Sequence, residues 1–372
     1  MNALNVIPLF KSFHSDDMER VALAVMRSGY IASGPEINHF EREFSAYIGA
    51  SNIVTLSDMT HALQLALRLS GVSSGDDVAA ISFACLKTNM AISLQGANPI
   101  WIDIDPLTMS MCPKDLERKI TATTKAVILY HVAGYPAAVR KIADICRSHG
   151  VSLIEDCNNA LGAFADGKHV GLNGKFSVFS FYPNRQINGF EGAALVCPNE
   201  KTALHAKRLR SLGIDTRTFR DKNSEINASS DIPETGISAA FNQLNASVAK
   251  IQLSSLAMRE KQVRRNALFL SYALRKFEQV NVVMPNRNTL PAYWCFLLLT
   301  EKRDKVLCSL KALGIGCSKL HYRNDNYTVF QSNSSYLPGT QQVTNQLLAI
   351  PCGWWLNSQD LQFIVDSIES SI

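Results

Sequence analysis

Arg185 is the side chain around which any chemistry of this sequence has to be argued. It sits in Ser177-Val178-Phe179-Ser180-Phe181-Tyr182-Pro183-Asn184-Arg185-Gln186-Ile187, and Glu191-Gly192-Ala193-Ala194 closes the segment. A guanidinium stays charged in a protein, offers donors only, and grips a carboxylate or phosphate through two parallel hydrogen bonds. It can clamp an anion, but it cannot be the neutral amine of a Schiff base. Asp156 could act as a general base or simply pair with Arg185. Lys87 opens a helical pattern and could supply an amine, against the commoner role of a solvated or salt-bridged helix-end lysine. Cys85 and Cys157 could furnish a thiolate beside Arg185 or Lys87, against the commoner outcome of buried, inert thiols. His61, His131 and His321 show no spacing that makes a metal pair, so structural histidines and no metal site are expected.

The elements that must position these groups alternate. Strand-like apolar runs occupy 52–56, 79–82, 100–102, 125–131 and 151–155, with helical patterns at 60–69, 88–94 and 142–146 between them. This βαβ rhythm predicts a parallel sheet, with ligands at the carboxyl ends of its strands and phosphate at helix N-termini there. The runs 177–181 and 194–196 predict a hairpin-like pair. A long helix over 243–277 leads to a smaller α+β part with strands at 292–300 and near Cys317. The polar stretch 216–233 is expected to be a mobile loop.

Composition agrees with a large folded core. The chain has 372 residues, 47% hydrophobic and only 19% charged, a size at which two linked domains are expected. Lys+Arg 37 against Asp+Glu 32 gives a formal charge of +5 without a basic run, so nucleic acid is not indicated as a partner. Nine cysteines show no CxxC pair and read as reduced thiols of a cytoplasmic protein. No apolar stretch reaches the roughly 18 residues of a membrane helix.

Dispersed motifs then point one way. Ser33-Gly34-Pro35-Glu36 with Phe40-Glu41 and Tyr47-Ile48-Gly49, Gly75-Asp76-Asp77-Val78, Gly96-Ala97-Asn98-Pro99, Asp103-Ile104-Asp105, Ile154-Glu155-Asp156 with Ala160-Leu161-Gly162-Ala163, Gln252-Leu253, His321-Tyr322 and Ile350-Pro351 follow one another in order. Over almost its whole length the chain resembles the DegT/StrS-type sugar aminotransferases, whose catalytic lysine, bound to pyridoxal phosphate (PLP), falls on Arg185. The resemblance implies an α/β fold of the aspartate-aminotransferase (PLP fold type I) kind. It has a large domain over 1–245, with an N-terminal arm and a mainly parallel seven-stranded sheet, and a linking helix and smaller C-terminal α+β domain over 246–372. It also implies a homodimer acting on a nucleotide-activated sugar.

Residue by residue, the resemblance makes Asp156 the partner of the pyridinium nitrogen, and Thr60 and Ser180 hydroxyl donors of a phosphate cup. The glycine before that threonine is Met59 here, and Asp58 adds a negative charge beside it. The ring-covering aromatic is Cys85, the glutamine after Asp156 is Asn159 and the alanine before that is Asn158. The segment that crosses to the neighbouring subunit has Ser238 for its asparagine and Ala240 for its arginine. Tyr182, Asn188, Ser238, His321 and Tyr322 fall on the substrate side. So many changes at one site predict that PLP is not bound covalently and that no cofactor is required. Three functions stay open: a PLP-independent enzyme on a nucleotide-linked sugar with Arg185 as anion clamp, an inert binding or scaffold subunit that could pair with an active paralogue, and a transaminase or dehydratase using pyridoxamine phosphate.

Overall fold

The computed structural model describes residues 6–330 and 336–372. The apolar runs assemble into a seven-stranded sheet of β1 (Ile53–Leu56), β2 (Asp77–Ile81), β3 (Asn98–Ile102), β4 (Thr124–Tyr130), β5 (Ser152–Asp156), β6 (Phe176–Ser180) and β7 (Ala193–Val196). The strand order is β1-β7-β6-β5-β4-β2-β3. From β3 through β2, β4 and β5 to β6 every pairing is parallel. β7 runs antiparallel to both β6 and β1. All strands except β7 therefore point the same way, and their carboxyl ends share one edge with the start of β7.

Both faces of this sheet are covered, which is why its strands read as nearly continuous apolar runs instead of alternating ones. Along β4, Val127 and Leu129 join a core with Phe40, Phe44 and Phe179, while Ala126 and Ile128 join another with Leu63, Leu67 and Val78. That division follows from the two-residue period of a strand. Helices α1 (Asp16–Ser28), α2 (Pro35–Ile48), α3 (Met59–Leu69) and α4 (Leu86–Leu94) belong to this part of the chain.

The helix expected over 243–277 is two helices, α5 (Gln243–Ile251) and α6 (Leu253–Leu274). The break falls at Gln252, whose side-chain amide donates to the Asn188 carbonyl at 2.6 Å and accepts from the Asn188 N–H at 3.1 Å. Beyond α6, β8 (Asn281–Val282), β9 (Phe296–Leu299) and β10 (Leu347–Ile350) form an antiparallel sheet in the order β8-β9-β10, packed on α6 and α7 (Ser358–Glu369) through Leu270, Leu274, Phe296, Leu348 and Ile364.

Two strand expectations differ from this arrangement. The run 292–300 shortens to Phe296–Leu299, because Ala292 and Trp294 donate backbone hydrogen bonds to Gly134 and Ala133, in the loop after β4, and Tyr293 is left-handed at φ 49°. The segment near Cys317 makes only two isolated bridges, Ile315 to Ile7 and Ser318 to Ala349, and the neighbouring strand is β10. The stretch 216–233 carries neither helix nor strand, only a bridge between Arg220 and Ile226.

Candidate functional site

The parallel strands bring the candidate residues to one edge. β1 leads through Ser57 and Asp58 into α3, and β2 leads through Ser82 to Cys85 into α4. Tyr130, Asp156 and Ser180 are the last residues of β4, β5 and β6, and Glu191 and Gly192 precede β7. Gly192 is held at φ +136°, and a Cβ there would lie 2.3 Å from the ring of Phe241, so no other residue fits this turn without displacing the ring.

One part of the edge is an ion cluster. Asp58 caps α3, its Oδ1 accepting from the Thr60 N–H at 2.6 Å. Its Oδ2 accepts from Lys87 Nζ at 2.7 Å, and Lys87 also donates to Glu191 Oε1 at 3.2 Å while lying over the Tyr182 ring. Burial works against charge on both partners. The pairing outweighs it, so Asp58 is held below the usual carboxylate range and Lys87 above the usual amine range. Lys87 is therefore a charged ion-pair partner and no free amine. Met59 is buried at the first position of α3. The Ser180 hydroxyl accepts from the Tyr182 N–H at 3.3 Å.

The middle of the edge is hydrogen-bonded within itself. Asp156 is fully buried, and its carboxylate accepts from the Thr88 hydroxyl at 2.6 Å and from the Asn158 backbone and side-chain amides at 3.0 and 2.8 Å. Burial raises its pKa, and those donors offset only part of the rise. Beside it Asn159 donates to the Tyr130 hydroxyl at 2.7 Å, and that hydroxyl is 3.2 Å from His321 Nε2. Burial and the nearby Arg185 charge pull His321 down to about 4, so the ring is neutral near pH 7 and Nε2 can accept the Tyr130 proton. Burial pushes the Cys85 thiol up despite Arg185 and Lys87, and Cys157 further still, so neither is an activated thiolate.

Arg185, in the loop after β6, shares the Tyr182 ring with Lys87, is half-buried and has no carboxylate at ion-pair distance among the described residues. Its Nη1 donates to the Asn184 side chain, its Nε is buried without a partner, and its guanidinium lies 4.8 Å from the centre of the Trp294 ring. Asp156 affects it only through the wider field, together with Tyr130, Cys85 and Glu191. The pairing of Arg185 with Asp156 weighed from the sequence is absent. Arg185 instead lines a small, open cleft with Lys11, Gln186, Trp294, Trp354 and Trp355. Phe10 stacks on Trp294 at 3.9 Å.

Other expected site residues lie elsewhere. Asn188 is buried, its amide donating to the Phe13 carbonyl at 3.2 Å and its backbone joined to Gln252 at both ends, so it ties three segments together. Ser238 is exposed and bridged to Ser211, and Tyr322 is exposed with its ring edge-on to Tyr327. Tyr130, Glu191 and Trp294 are the contributors that sequence reasoning missed. One buried trio, His131, Glu155 and Cys157, brings potential ligand atoms within 4.8 Å of one another. Glu155, however, accepts backbone N–H groups of Gly171, Asn173 and Gly174 at 2.9, 2.7 and 2.6 Å, and His131 Nδ1 accepts from Ala137 at 3.0 Å. With its oxygens committed to donors, the trio is a structural network.

Residues 13–369 match the DegT/DnrJ/EryC1/StrS aminotransferase family. The chain belongs to this family. Among solved structures it is similar to AtS13 from Actinomadura melliaura, at 29% identity over 100% of both chains with a TM-score of 0.93. It is also similar to the sugar aminotransferase CalS13 from Micromonospora echinospora, at 27% identity over 98% of this chain and 100% of that one, again with a TM-score of 0.93. DesV from S. venezuelae, solved with a ketimine intermediate, matches at 25% identity over 95% of this chain and 93% of that one, with a TM-score of 0.88. The fold is the aspartate-aminotransferase-like PLP fold type I, with its mainly parallel seven-stranded sheet. No helix among the described residues is long and apolar enough to cross a membrane.

Proposed function

We propose that this family member works without a PLP Schiff base and binds a nucleotide-linked sugar, with Arg185 clamping an anionic group of the ligand. One observation carries the reading: Arg185 faces the cleft on an aromatic surface with no carboxylate beside it, while Asp156 is satisfied by Thr88 and Asn158. A guanidinium in that state keeps its charge and its donor fork for an incoming carboxylate or phosphate. The residues present do not fit PLP. Arg185 offers no neutral amine, Lys87 is held charged between Asp58 and Glu191, and the Asp58 carboxylate accepts from the α3 amide next to it. The exposed apolar side chains of Leu86, Tyr182 and Phe190, close to this edge, support a homodimer that covers them, which sedimentation at micromolar concentration tests.

A second reading, a binding subunit without turnover, is favoured by the state of the reactive groups. The thiols of Cys85 and Cys157 are pushed up and Lys87 is locked as a cation. Calorimetry with UDP-, dTDP- and GDP-sugars on wild type and Arg185→Ala tests both. Binding by wild type is expected to weaken by about 1.5–3 kcal/mol in the variant, as for a lost charged hydrogen bond. Product formation from the bound sugar separates enzyme from binding subunit, and no sugar binding to wild type overturns the proposal. Arg185→Lys incubated with PLP is expected to develop no visible absorbance band. A band would show that the lysine alone was missing.

A further inference from the structure

We propose that Asp58 is a built-in anion standing where a cofactor phosphate would sit at the amino end of α3, so that the chain discriminates by charge against phosphate-bearing pyridoxal and pyridoxamine compounds. The proposal rests on the Schiff-base-free reading above but not on sugar binding. A helix N-terminus presents unpaired N–H groups and the positive end of the helix dipole to an anion. In α3 that role is filled from within the chain: Asp58 Oδ1 takes the Thr60 N–H at 2.6 Å. Lys87, the cation of this cluster, is held by Asp58 Oδ2 at 2.7 Å and by Glu191 at 3.2 Å. Met59, at the first position of the helix, is 1% exposed and belongs to the apolar core with Leu56 and Leu63. A phosphate entering here meets two carboxylates with a single ammonium between them, and must break the cap and the ion pair to obtain the same donors.

The side chains of Asp58 and Lys87 are 21% and 40% exposed, so water screens the cluster in part, and the discrimination is by charge more than by shape. Asp58→Asn separates the two contributions. Asparagine caps a helix as well as aspartate does, but it carries no charge and leaves Lys87 with one carboxylate partner, Glu191, in place of two.

The test compares pyridoxamine phosphate with pyridoxamine by calorimetry on the full chain. Pyridoxamine phosphate needs no lysine, so Arg185 does not confound the result. Wild type is expected to gain nothing from the phosphate. Asp58→Asn is expected to bind pyridoxamine phosphate about tenfold or more tighter than wild type does, with pyridoxamine unchanged and the gain shrinking as salt is added. Wild type preferring the phosphate form by about tenfold overturns the proposal, and needs no variant to show it. A folded Asp58→Asn protein with no gain overturns it as well. Failure of nucleotide sugars to bind would sink the ligand reading and leave this phosphate comparison untouched.

Discussion

Around Asp58 every charge has an opposite charge within hydrogen-bond reach, whereas Arg185, on the same Tyr182 ring as Lys87, rests on the Trp294 face with no carboxylate at its side. The two groups teach different lessons about one sheet edge. The ion cluster uses its donors internally and, with two carboxylates to one ammonium, opposes a further anion. An aromatic face holds a cation in place without neutralising it, and its field stays available to neighbours and ligands. His321 shows that field at work, since the Arg185 charge adds to burial in pulling its imidazole down. Asp156, at the end of the neighbouring strand, decides which description covers the rest of the edge.

If Asp156 is a member of the satisfied region, removing it should cost more than any other change at this edge. Asp156→Ala strands the Thr88 hydroxyl and two Asn158 donors in a fully buried place. At about 1–3 kcal/mol per unsatisfied group, with partial relaxation, a loss of about 3–5 kcal/mol is expected in urea unfolding. A variant as stable as wild type would mean that the carboxylate is held ready for a ligand and is not part of the framework.

The field of Arg185 predicts a pH dependence of the next size. His321 has a folded value of about 4 against about 6.5 unfolded, so between those values the unfolded chain binds more protons. Its contribution is therefore fully present above about pH 6.5 and is lost as pH falls towards 4, to a total on the order of 3 kcal/mol. Unfolding curves at several pH values for wild type and His321→Gln check this. The variant should show a shallower loss across that window, and identical slopes would place the acid sensitivity elsewhere.

How far the sequence carried each group follows from where the contacts originate. The strand rhythm, the place of Asp156 at a strand end and the position of Asp58 before a helix are local patterns, and the helix cap formed by Asp58 follows from its type and place. What was not legible came from far along the chain. Tyr130 meets His321 191 residues away, Lys87 meets Glu191 104 residues away, and Trp294 donates to the Asn184 carbonyl across 110 residues. Asn188 looked like a pocket residue by its polarity, but Gln252 and Phe13 take up its groups, and no spacing rule announces that pairing. Strand-end side chains can turn to either neighbour, so their partners are set by tertiary packing more than by pattern.

The smallest effect belongs to the group where the charges are best paired. Lys87 touches both Asp58 and Glu191, yet its side chain is 40% exposed and theirs are 21% and 38% exposed, so solvent screens the pairs and competes for the same hydrogen bonds. Lys87→Met keeps an unbranched side chain and removes the ammonium, and with it both ion pairs and the contact of Nζ with the Tyr182 ring. The expected loss in urea unfolding is below about 1 kcal/mol, and it should fade as salt is raised, because the two carboxylates left behind repel less when screened. A loss above about 2 kcal/mol that salt does not alter would place the triad in a low-dielectric core and erase the contrast with Arg185. A small, salt-sensitive loss would mean that these three residues set the charge that an arriving anion meets and contribute little to holding the fold.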